Sequence, residues 1–426
     1  MLDIAFLRKE TKKATAALQG KIPNLSLEEV LSLDQKLKEA VTHLESLKAR
    51  QNVASKLIGE KKRLQEDVSN VLADMKNLRA EIQEWQDKVQ ELRPEFQTAL
   101  DKLPNIPKKE VPVSPDPIDN VCVKTVGEKP SFSFPIKNHL ELGTALGLFD
   151  FKKSAKITGS NWPLYTGEGA RLERALLSYM LDVHHKNGFT EIMPPLLVNG
   201  RTMHGAGQLP KFRDQLFSLG DEQFPFYLIP TAEVPLNGLH QEEILDTLPK
   251  LYTAYTPCFR REAGALGKQE RGLIRMHQFN KVELFCVCSA ENAEEMFEKM
   301  LLSAEEVLQG LGLHYRNMLL VTGDLSFASE KTIDIEAFLP AQNRYYEVSS
   351  VSSCGDFQAR RAKIRVRTPS GVKYAHTLNG SGLATSRLLV ALLETCQKED
   401  GSVQVPEVLG PYLQGSSLIL QKAATA

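Results

Sequence analysis

Two consecutive apolar seams constrain the first hundred residues more than any other feature of the chain. Apolar side chains recur at steps of three and four residues through segments 33–54 and 64–103, the spacing of helices that pack lengthwise on one another. Only a short segment around Gly59 separates the seams, so the two helices must run antiparallel to cover each other. The sequence therefore predicts a helical arm in which about 30 paired residues span roughly 45 Å.

The predicted turn of this arm, residues 56–63, is rich in cations. A cationic tip on a long arm can reach a phosphate backbone far from the rest of the chain, which favours a contact with RNA. The alternative is that the outer positions of any coiled coil are charged, and such a segment taken alone more often serves dimerisation or spacing. The candidate tip residues are Arg50, Lys56, Lys61, Lys62 and Arg63.

The proline-rich stretch 106–120 marks the end of the arm domain, because prolines stiffen a connection between domains. Beyond it, β-like runs alternate with amphipathic helices, a pattern that indicates an α+β body. We predict four segments: an N-terminal domain over 1–105, a linker over 106–120, a catalytic core over 121–415 and a C-terminal tail over 416–426.

Charge and composition exclude several classes of protein. The 52 basic and 53 acidic residues give a net charge of -1, so any contact with nucleic acid must come from local patches. No apolar run approaches the roughly 20 residues of a membrane helix, and we expect a cytoplasmic protein with no membrane partner. The cysteines form no CxxC pair, so we expect neither a structural zinc nor a disulfide framework. They are Cys122, Cys258, Cys286, Cys288, Cys354 and Cys396.

The stretch 255–285 combines a core-like face with a charged face. Two β-like runs flank a loop that holds Gly264, Gly267 and Gly272, which predicts a hairpin. Arginine suits phosphate because its planar fork donates two parallel hydrogen bonds, and Phe279 can stack on a base. The alternative is a solvated hairpin with cross-strand ion pairs. The charged face comprises Arg260, Glu262, Arg275, His277, Phe279, Lys281 and Glu283.

This stretch resembles motif 2 of the class II aminoacyl-tRNA synthetases, and the run RGLIRMHQFNKVE over 271–283 resembles the bacterial type of seryl-tRNA synthetase. A helix predicted over 169–187, followed by a strand interrupted at Pro194 and Pro195, resembles motif 1. The run HTLNGSGLATSRLL over 376–389 resembles motif 3. Three motifs in class order are far more specific than any one of them.

The resemblance implies an α+β fold in which an antiparallel sheet is flanked by helices, with an N-terminal coiled-coil arm that grips tRNA. It implies ATP-dependent activation of L-serine and transfer to tRNA(Ser), in a homodimer formed through motif 1. Whether tRNA(Sec) is also charged stays open. Two alternatives are a ligase that loads an amino acid onto a carrier protein, and an inactive RNA-binding homologue.

The resemblance also assigns roles to individual residues. Arg260, Arg275 and Arg387 would act on the phosphates of ATP, Phe279 would stack on adenine, and Glu347 with Ser350 would bind Mg²⁺ through hard oxygens. The further ATP-binding residues would be Arg261, Glu262, Val348 and Ser349, and the serine-binding residues Thr231, Ala232, Glu233, Arg260, Glu283, Asn379 and Ser381.

Two of these assignments have ordinary structural alternatives in the sequence. Thr231 could cap a helix instead of binding a ligand. Arg387 lies in an apolar helix and needs a negative partner, for which either an internal carboxylate or a phosphate would serve. We expect the segment 380–382, Gly-Ser-Gly, to open that helix and to offer free backbone amides to an anion.

Overall fold

The computed structural model of the chain describes residues 1–221, 223–262 and 272–420, so the predicted loop glycines Gly264 and Gly267 lie outside the described residues. The chain divides into two compact units, Met1–Pro104 and Asn105–Ala426. The helices are α1 (Ile4–Lys9), α2 (Thr11–Lys21), α3 (Glu28–Arg63), α4 (Ser69–Asp101), α5 (His139–Ala145), α6 (Phe151–Thr158), α7 (Glu168–Lys186), α8 (Gly200–Gly205), α9 (Glu233–Gly238), α10 (Ala293–Gly310), α11 (Phe357–Ala362) and α12 (Thr385–Thr395).

The strands that the structure describes all belong to the second unit. They are β1 (Val121–Val126), β2 (Thr190–Glu191), β3 (Leu197–Asn199), β4 (Phe226–Leu228), β5 (Ile244–Leu245), β6 (Lys250–Phe259), β7 (Gln278–Cys288), β8 (Tyr315–Leu319), β9 (Lys331–Leu339), β10 (Arg344–Ser353), β11 (Arg365–Thr368), β12 (Gly371–Tyr374), β13 (His376–Ala384), β14 (Val403–Gln404) and β15 (Leu418–Ile419). Turns of 3₁₀ helix cover Pro117–Asp119, Arg213–Gln215, Gly272–Ile274, Pro340–Gln342 and Glu407–Leu413.

In the first unit, α3 and α4 pack along each other over the predicted apolar seams. Burying these side chains supplies most of the stability of such a pair, because long helices are marginal on their own in water. At the base of the arm, Arg8 of α1 donates two hydrogen bonds to Asp34 of α3, at 2.5 and 2.6 Å. The buried seam consists of Ala40, Leu44, Leu47, Met75, Leu78, Ile82 and Val89.

The predicted turn of the arm is wrong by several residues. Helix α3 continues through Gly59 to Arg63, and the turn spans residues 64–68, in which Gln65 adopts a left-handed φ of 57°. A glycine weakens a helix by only about 1 kcal/mol, which is too little to end one that is held by a packed seam. Leu64, predicted in the seam, is 70% exposed. Of the predicted tip cations, Lys56 and Lys61 to Arg63 therefore occupy the last turns of a helix.

The second unit contains an eight-stranded sheet in the order β1-β8-β9-β10-β13-β7-β6-β2. All neighbours are antiparallel except β2 and β6, so the predicted α+β fold with an antiparallel sheet flanked by helices is confirmed. The helix predicted over 169–187 is α7, and it packs with α10 and α12 on one face of the sheet. Among the described residues, no helix is both long and apolar enough to cross a membrane.

The segments predicted as linker and tail make specific contacts within the second unit. In the predicted linker, the backbone N–H of Lys108 donates to the carbonyl of Glu330 at 2.8 Å, and the carbonyl of Pro112 accepts from the backbone N–H of Thr322 at 2.9 Å. Residues Leu418–Ile419 pair with Val403–Gln404, so the predicted tail begins inside a small sheet. Part of each segment therefore packs within the second unit.

The expectation that the Gly-Ser-Gly segment opens a helix is wrong. Gly380 and Ser381 lie within β13 and pair with Leu284 and Glu283, whereas the following helix begins at Thr385. The glycines are needed for close packing, because a Cβ at Gly382 would lie 2.4 Å from Nε2 of the buried His184. The segment therefore brings a strand close to a neighbouring helix rather than presenting an anion site.

The position of the arm's turn can be tested with Gly59→Ala. Gly59 is helical, and an added Cβ would meet nothing within 4 Å, so the substitution should raise the free energy of unfolding of the first unit by up to about 1 kcal/mol. Urea denaturation of the full chain, followed by helical circular dichroism, measures the change. Gln65→Ala, in the turn itself, should bring no such gain. Destabilisation by Gly59→Ala would place the turn back at residue 59.

Candidate active site

A cavity of about 590 Å³ lies where β6, β7, β10 and β13 meet the start of α12. The fold brings together lining residues that are up to 181 residues apart in sequence, from Ala206 to Arg387. Twelve of the predicted site residues line it: Thr231, Glu233, Arg260, Glu262, Arg275, Phe279, Glu347, Val348, Ser350, Asn379, Ser381 and Arg387.

Four predicted site residues lie outside this lining. Arg261 is exposed, and its backbone N–H donates to Gln215 at 2.9 Å. Ala232 is fully buried in the core beneath the sheet, and the buried hydroxyl of Ser349 donates to the carbonyl of Ser381 at 2.5 Å. Glu283 is also fully buried and lies behind Thr231. These four residues support the wall or rim of the cavity.

Glu283 carries a buried charge that is matched by two neighbours. Thr231 donates its hydroxyl proton to Glu283 Oε2 at 2.5 Å, and Lys281 Nζ lies 2.7 Å from the same oxygen. The backbone N–H of Glu233 donates to Thr231 Oγ1 at 3.3 Å, but the N-cap of α9 is Ala232 and no side chain caps this helix, so Thr231 does not take the capping role. Together these contacts fix the direction of the Thr231 hydroxyl in the cavity wall.

Glu233 is the second carboxylate of this region, and its Oε1 atom accepts two hydrogen bonds. Gln358 donates to it at 2.5 Å and Asn379 at 3.0 Å. Burial, with a smaller effect from the charge of Glu283, raises the pKa of Glu233 to about 7. The cavity therefore contains a carboxyl group that changes its charge close to neutral pH.

The opposite part of the cavity is lined by arginines and one aromatic ring. The guanidinium of Arg260 lies 5.0 Å from the centre of the Phe279 ring and donates to the carbonyl of Pro230 at 3.3 Å. Arg275 donates to Glu262 at 3.0 Å. The ion pairs considered as the alternative for this hairpin are therefore present, and they occur within the cavity rather than on a solvated face.

Arg387 has an internal carboxylate partner. Its Nη1 atom donates to the backbone carbonyl of Glu347 at 2.9 Å and to Glu347 Oε2 at 3.2 Å, while Nε donates to Ile274 at 3.3 Å. The side chain of Glu347 is nearly half exposed. The guanidinium is thus held at the cavity wall by groups that solvent and small ligands can reach.

Glu347 and Ser350 line the same wall and offer a carboxylate and a hydroxyl, which are ligands that Mg²⁺ prefers. Asp334 lies directly opposite Ser350 in the neighbouring strand, with Oδ1 buried and unbonded. Burial and the charge of Glu347 raise the pKa of Asp334 well above its usual range. This excess of carboxylates fits a cation at Glu347 and Ser350. Within the described part of the chain, no group of three or more His, Cys, Asp or Glu residues is arranged to hold a metal.

Sequence reasoning missed three residues of this site. Strand alternation placed Lys281 on the charged face, but gave it no role in balancing Glu283. Asp334 and Gln358 belong to strands and helices far from the recognised motifs, and their contacts arise only when the sheet closes. Strand alternation was thus a signal for Lys281, and Asp334 was marked as an acidic residue within the mostly apolar run of β9.

Comparison with known proteins adds the deciding observation. Residues 1–107 match the seryl-tRNA synthetase N-terminal domain, and residues 217–396 match the tRNA synthetase class II core domain (G, H, P, S and T). The chain is 46% identical over 425 residues to a serine--tRNA ligase of Chlamydia muridarum, with 99% of each chain covered. The chain belongs to the seryl-tRNA synthetase family.

Two further members of the seryl-tRNA synthetase family are similar to this chain over nearly its whole length. A serine--tRNA ligase of Syntrophobacter fumaroxidans is 49% identical over 418 residues, covering 97% of this chain and 98% of that protein. The crystal structure of seryl-tRNA synthetase from Pyrococcus horikoshii complexed with ATP has a TM-score of 0.92 and 36% identity, covering 99% of this chain and 100% of that one. The resemblance found in the three motifs is confirmed, and the second unit carries the core of an ATP-dependent aminoacyl-tRNA ligase.

The buried Lys281–Glu283 pair yields a stability prediction. Their side chains are 14% and 1% exposed, so Lys281→Met leaves a buried carboxylate without its cation and should lower the free energy of unfolding by about 3–5 kcal/mol. Lys186→Met is the matched control, because its pair with Glu306 is 76% and 40% exposed and should contribute less than about 1 kcal/mol. Chemical denaturation of both variants measures the difference. Equal losses would contradict the account of Glu283.

Proposed function

We propose that this chain is an ATP-dependent serine--tRNA ligase of the cytoplasm. It activates L-serine to seryl-adenylate and transfers the seryl group to the 3′ end of tRNA(Ser). The observation that carries the proposal is one continuous cavity in which a small polar region around Glu233 adjoins a region lined by Arg260, Arg275 and Phe279. The first region suits a small hydroxylated amino acid, and the second suits a nucleotide.

In the first step the carboxylate of serine attacks the α-phosphorus of ATP, and pyrophosphate leaves. Negative charge develops on the phosphoryl oxygens, so catalysis depends on positioning and on cations rather than on a protein nucleophile. We propose that Arg260 contacts the α-phosphate and that Phe279 stacks on adenine. The Arg260 guanidinium lies 5.0 Å from the centre of the Phe279 ring, which supports one binding surface for both parts of ATP. Arg275 and Arg387 would exchange carboxylate partners for the terminal phosphates.

Glu347 and Ser350 would hold Mg²⁺, which when bound offsets charge on the triphosphate. Their hard oxygens and the neighbouring buried Asp334 support this assignment. The pairing of Arg387 with Glu347 keeps both side chains at the wall where the phosphates would lie. The residues of this chain therefore supply orientation and charge for the reaction.

In the second step the terminal ribose hydroxyl of tRNA attacks the carbonyl carbon of seryl-adenylate, and AMP leaves. We assign tRNA binding to the N-terminal domain over 1–105. In its arm, the last turn of helix α3 contains Lys61, Lys62 and Arg63. The cations lie on a continuous helix, which supports a contact with a phosphate backbone. We also propose that residues 106–120 form a linker between domains and that residues 121–415 form the catalytic core.

The two alternatives are not favoured. The curated relatives described above are serine--tRNA ligases, and their similarity extends over 97% or more of this chain, so it is not confined to the catalytic core. An inactive homologue would be expected to have lost some of Arg260, Glu347 and Arg387, yet all three line the cavity. A ligase acting on a carrier protein would have no use for the arm.

We also propose a homodimer formed through motif 1. The segment between β2 and β3 leaves large apolar side chains exposed, with Met193 90% and Leu196 36% exposed. Contiguous apolar surface of this kind is typical of a protein interface. The same segment contains Pro194 and Pro195, which interrupt strand pairing at the edge of the sheet.

The pKa of Glu233 predicts how serine binding depends on pH. Its carboxylate form accepts a hydrogen bond from the serine hydroxyl, and with a pKa of about 7 the ionised fraction rises roughly tenfold from pH 6 to pH 8. The KM for serine in ATP–pyrophosphate exchange should fall by a similar factor over this range. Glu233→Gln should remove most of the dependence. A flat profile in the unsubstituted protein would argue against contact between Glu233 and serine.

The arm's role can be separated from adenylate formation. The double variant Lys62→Glu with Arg63→Glu reverses two exposed charges and should raise the KM for tRNA by about tenfold or more, because electrostatic contacts dominate such binding. Serine-dependent pyrophosphate exchange should not change. Lys12→Glu with Lys13→Glu is the matched control, with equal charge reversal on α2. An equal effect of both pairs on charging would contradict binding at the arm.

A further inference from the structure

Gln358, on α11, is fully buried, yet it connects directly to the cavity wall. Its Oε1 atom accepts the hydroxyl proton of Thr377 at 2.6 Å. Its Nε2 atom donates to the carbonyl of Ala206 at 3.0 Å and to Glu233 Oε1 at 2.5 Å. The side-chain amide therefore uses both of its ends, and each partner is supplied by a different element.

These partners allow only one orientation of the amide. The carbonyl of Ala206 and the carboxylate of Glu233 both accept hydrogen bonds, so the nitrogen end of Gln358 must face them. The buried hydroxyl of Thr377 can then donate to the oxygen end. If the amide were flipped, its oxygen would face the Ala206 carbonyl oxygen and Glu233 Oε1, which are both acceptors. These buried oxygens would then lack a donor, which is destabilising.

The consequence for Glu233 is a fixed carboxylate plane. Oε1 accepts from Gln358 and from Asn379, whose second N–H donates to Cys354 Sγ at 3.3 Å. With Oε1 held from two sides, Oε2 is the oxygen that remains for a ligand in the cavity. The carboxylate of Glu233, held in this way, presents one hydrogen-bonding oxygen at a defined position. A site that recognises a single hydroxyl group requires such a fixed oxygen.

We propose that Gln358 is a positioning residue for amino acid selection, holding Glu233 so that Oε2 meets the hydroxyl of serine and alanine is rejected. The inference rests on the proposed function, and it concerns a residue that does not touch the substrate. Alanine lacks the hydroxyl, so its weaker activation does not depend on where Oε2 points. Selection between the two amino acids therefore reports on the Gln358–Glu233 contact.

The pH profile gives a second measure of the same contact. Hydrogen bonds donated by Gln358 stabilise the carboxylate form of Glu233, as do the nearby charges of Lys281 and Arg260, while Glu283 opposes it. Loss of the Gln358 donor leaves the other three groups in place. The pH midpoint for the KM of serine should then move to a higher pH.

The test compares Gln358→Met with Gln397→Met in the full chain. Gln397 is a matched control, because it is also buried and donates to the carbonyls of Lys137 and Glu394, but neither of these two acceptors lines the cavity. ATP–pyrophosphate exchange with serine and with alanine is measured from pH 6 to pH 9. Gln358→Met should raise the KM for serine about tenfold, lower the serine-to-alanine ratio of kcat/KM by a similar factor, and leave the KM for ATP unchanged.

Gln397→Met should lower the melting temperature without altering that ratio. If Gln358→Met does not fold, Thr377→Val removes the hydroxyl that orients the amide and should reduce the same ratio by a smaller factor. An unchanged ratio and pH midpoint in a folded Gln358 or Thr377 variant overturns the inference. Absence of serine activation in the unsubstituted protein would instead refute the proposed function, and the inference with it.

Discussion

The need to balance carboxylates in a largely buried cavity governs the structure of the second unit. A charge removed from water is strongly destabilising unless opposite charges or hydrogen-bond donors surround it. Glu283 is balanced by Lys281 and Thr231, Glu233 by two side-chain amides, and Glu347 by Arg387. Lys281 lies on the same strand as Glu283, but the other balancing groups come from segments distant from their carboxylates, so the cavity exists only when these segments are assembled.

Strand β7 is central to this assembly. One face contributes Val282 and Leu284 to the main core, and the other contributes Phe279, Lys281 and Glu283 to the cavity or to its support. Because side chains alternate along a strand, the packing that buries the apolar set also aims the charged set. Stability and function are thus tied to the same register between β7 and its neighbours β6 and β13.

Patterns with a clear period could be predicted from the sequence. The arm helices, the sheet and twelve of the cavity-lining residues followed from heptad spacing, strand alternation and the resemblance to a known family. The arm's turn could not be located, because Gly59 resembles a helix end while packing of the seam carries the helix past it. The Gly-Ser-Gly segment was misjudged since its glycines serve a close approach to His184, a contact between residues 198 apart in sequence. Gln358 acts through a buried amide, and no local pattern marks such a residue.

The uninterrupted course of α3 to Arg63 has a consequence for the thermodynamics of the binding that we propose at the arm. Its cations stand on backbone that is already ordered, whereas a flexible loop would lose about 1–2 kcal/mol of conformational freedom for each residue that a partner fixes. Only the rotamers of the long side chains remain to be restricted. The arm is therefore preorganised for association, and little of the attraction between its charges and a polyanion is offset by loss of chain entropy.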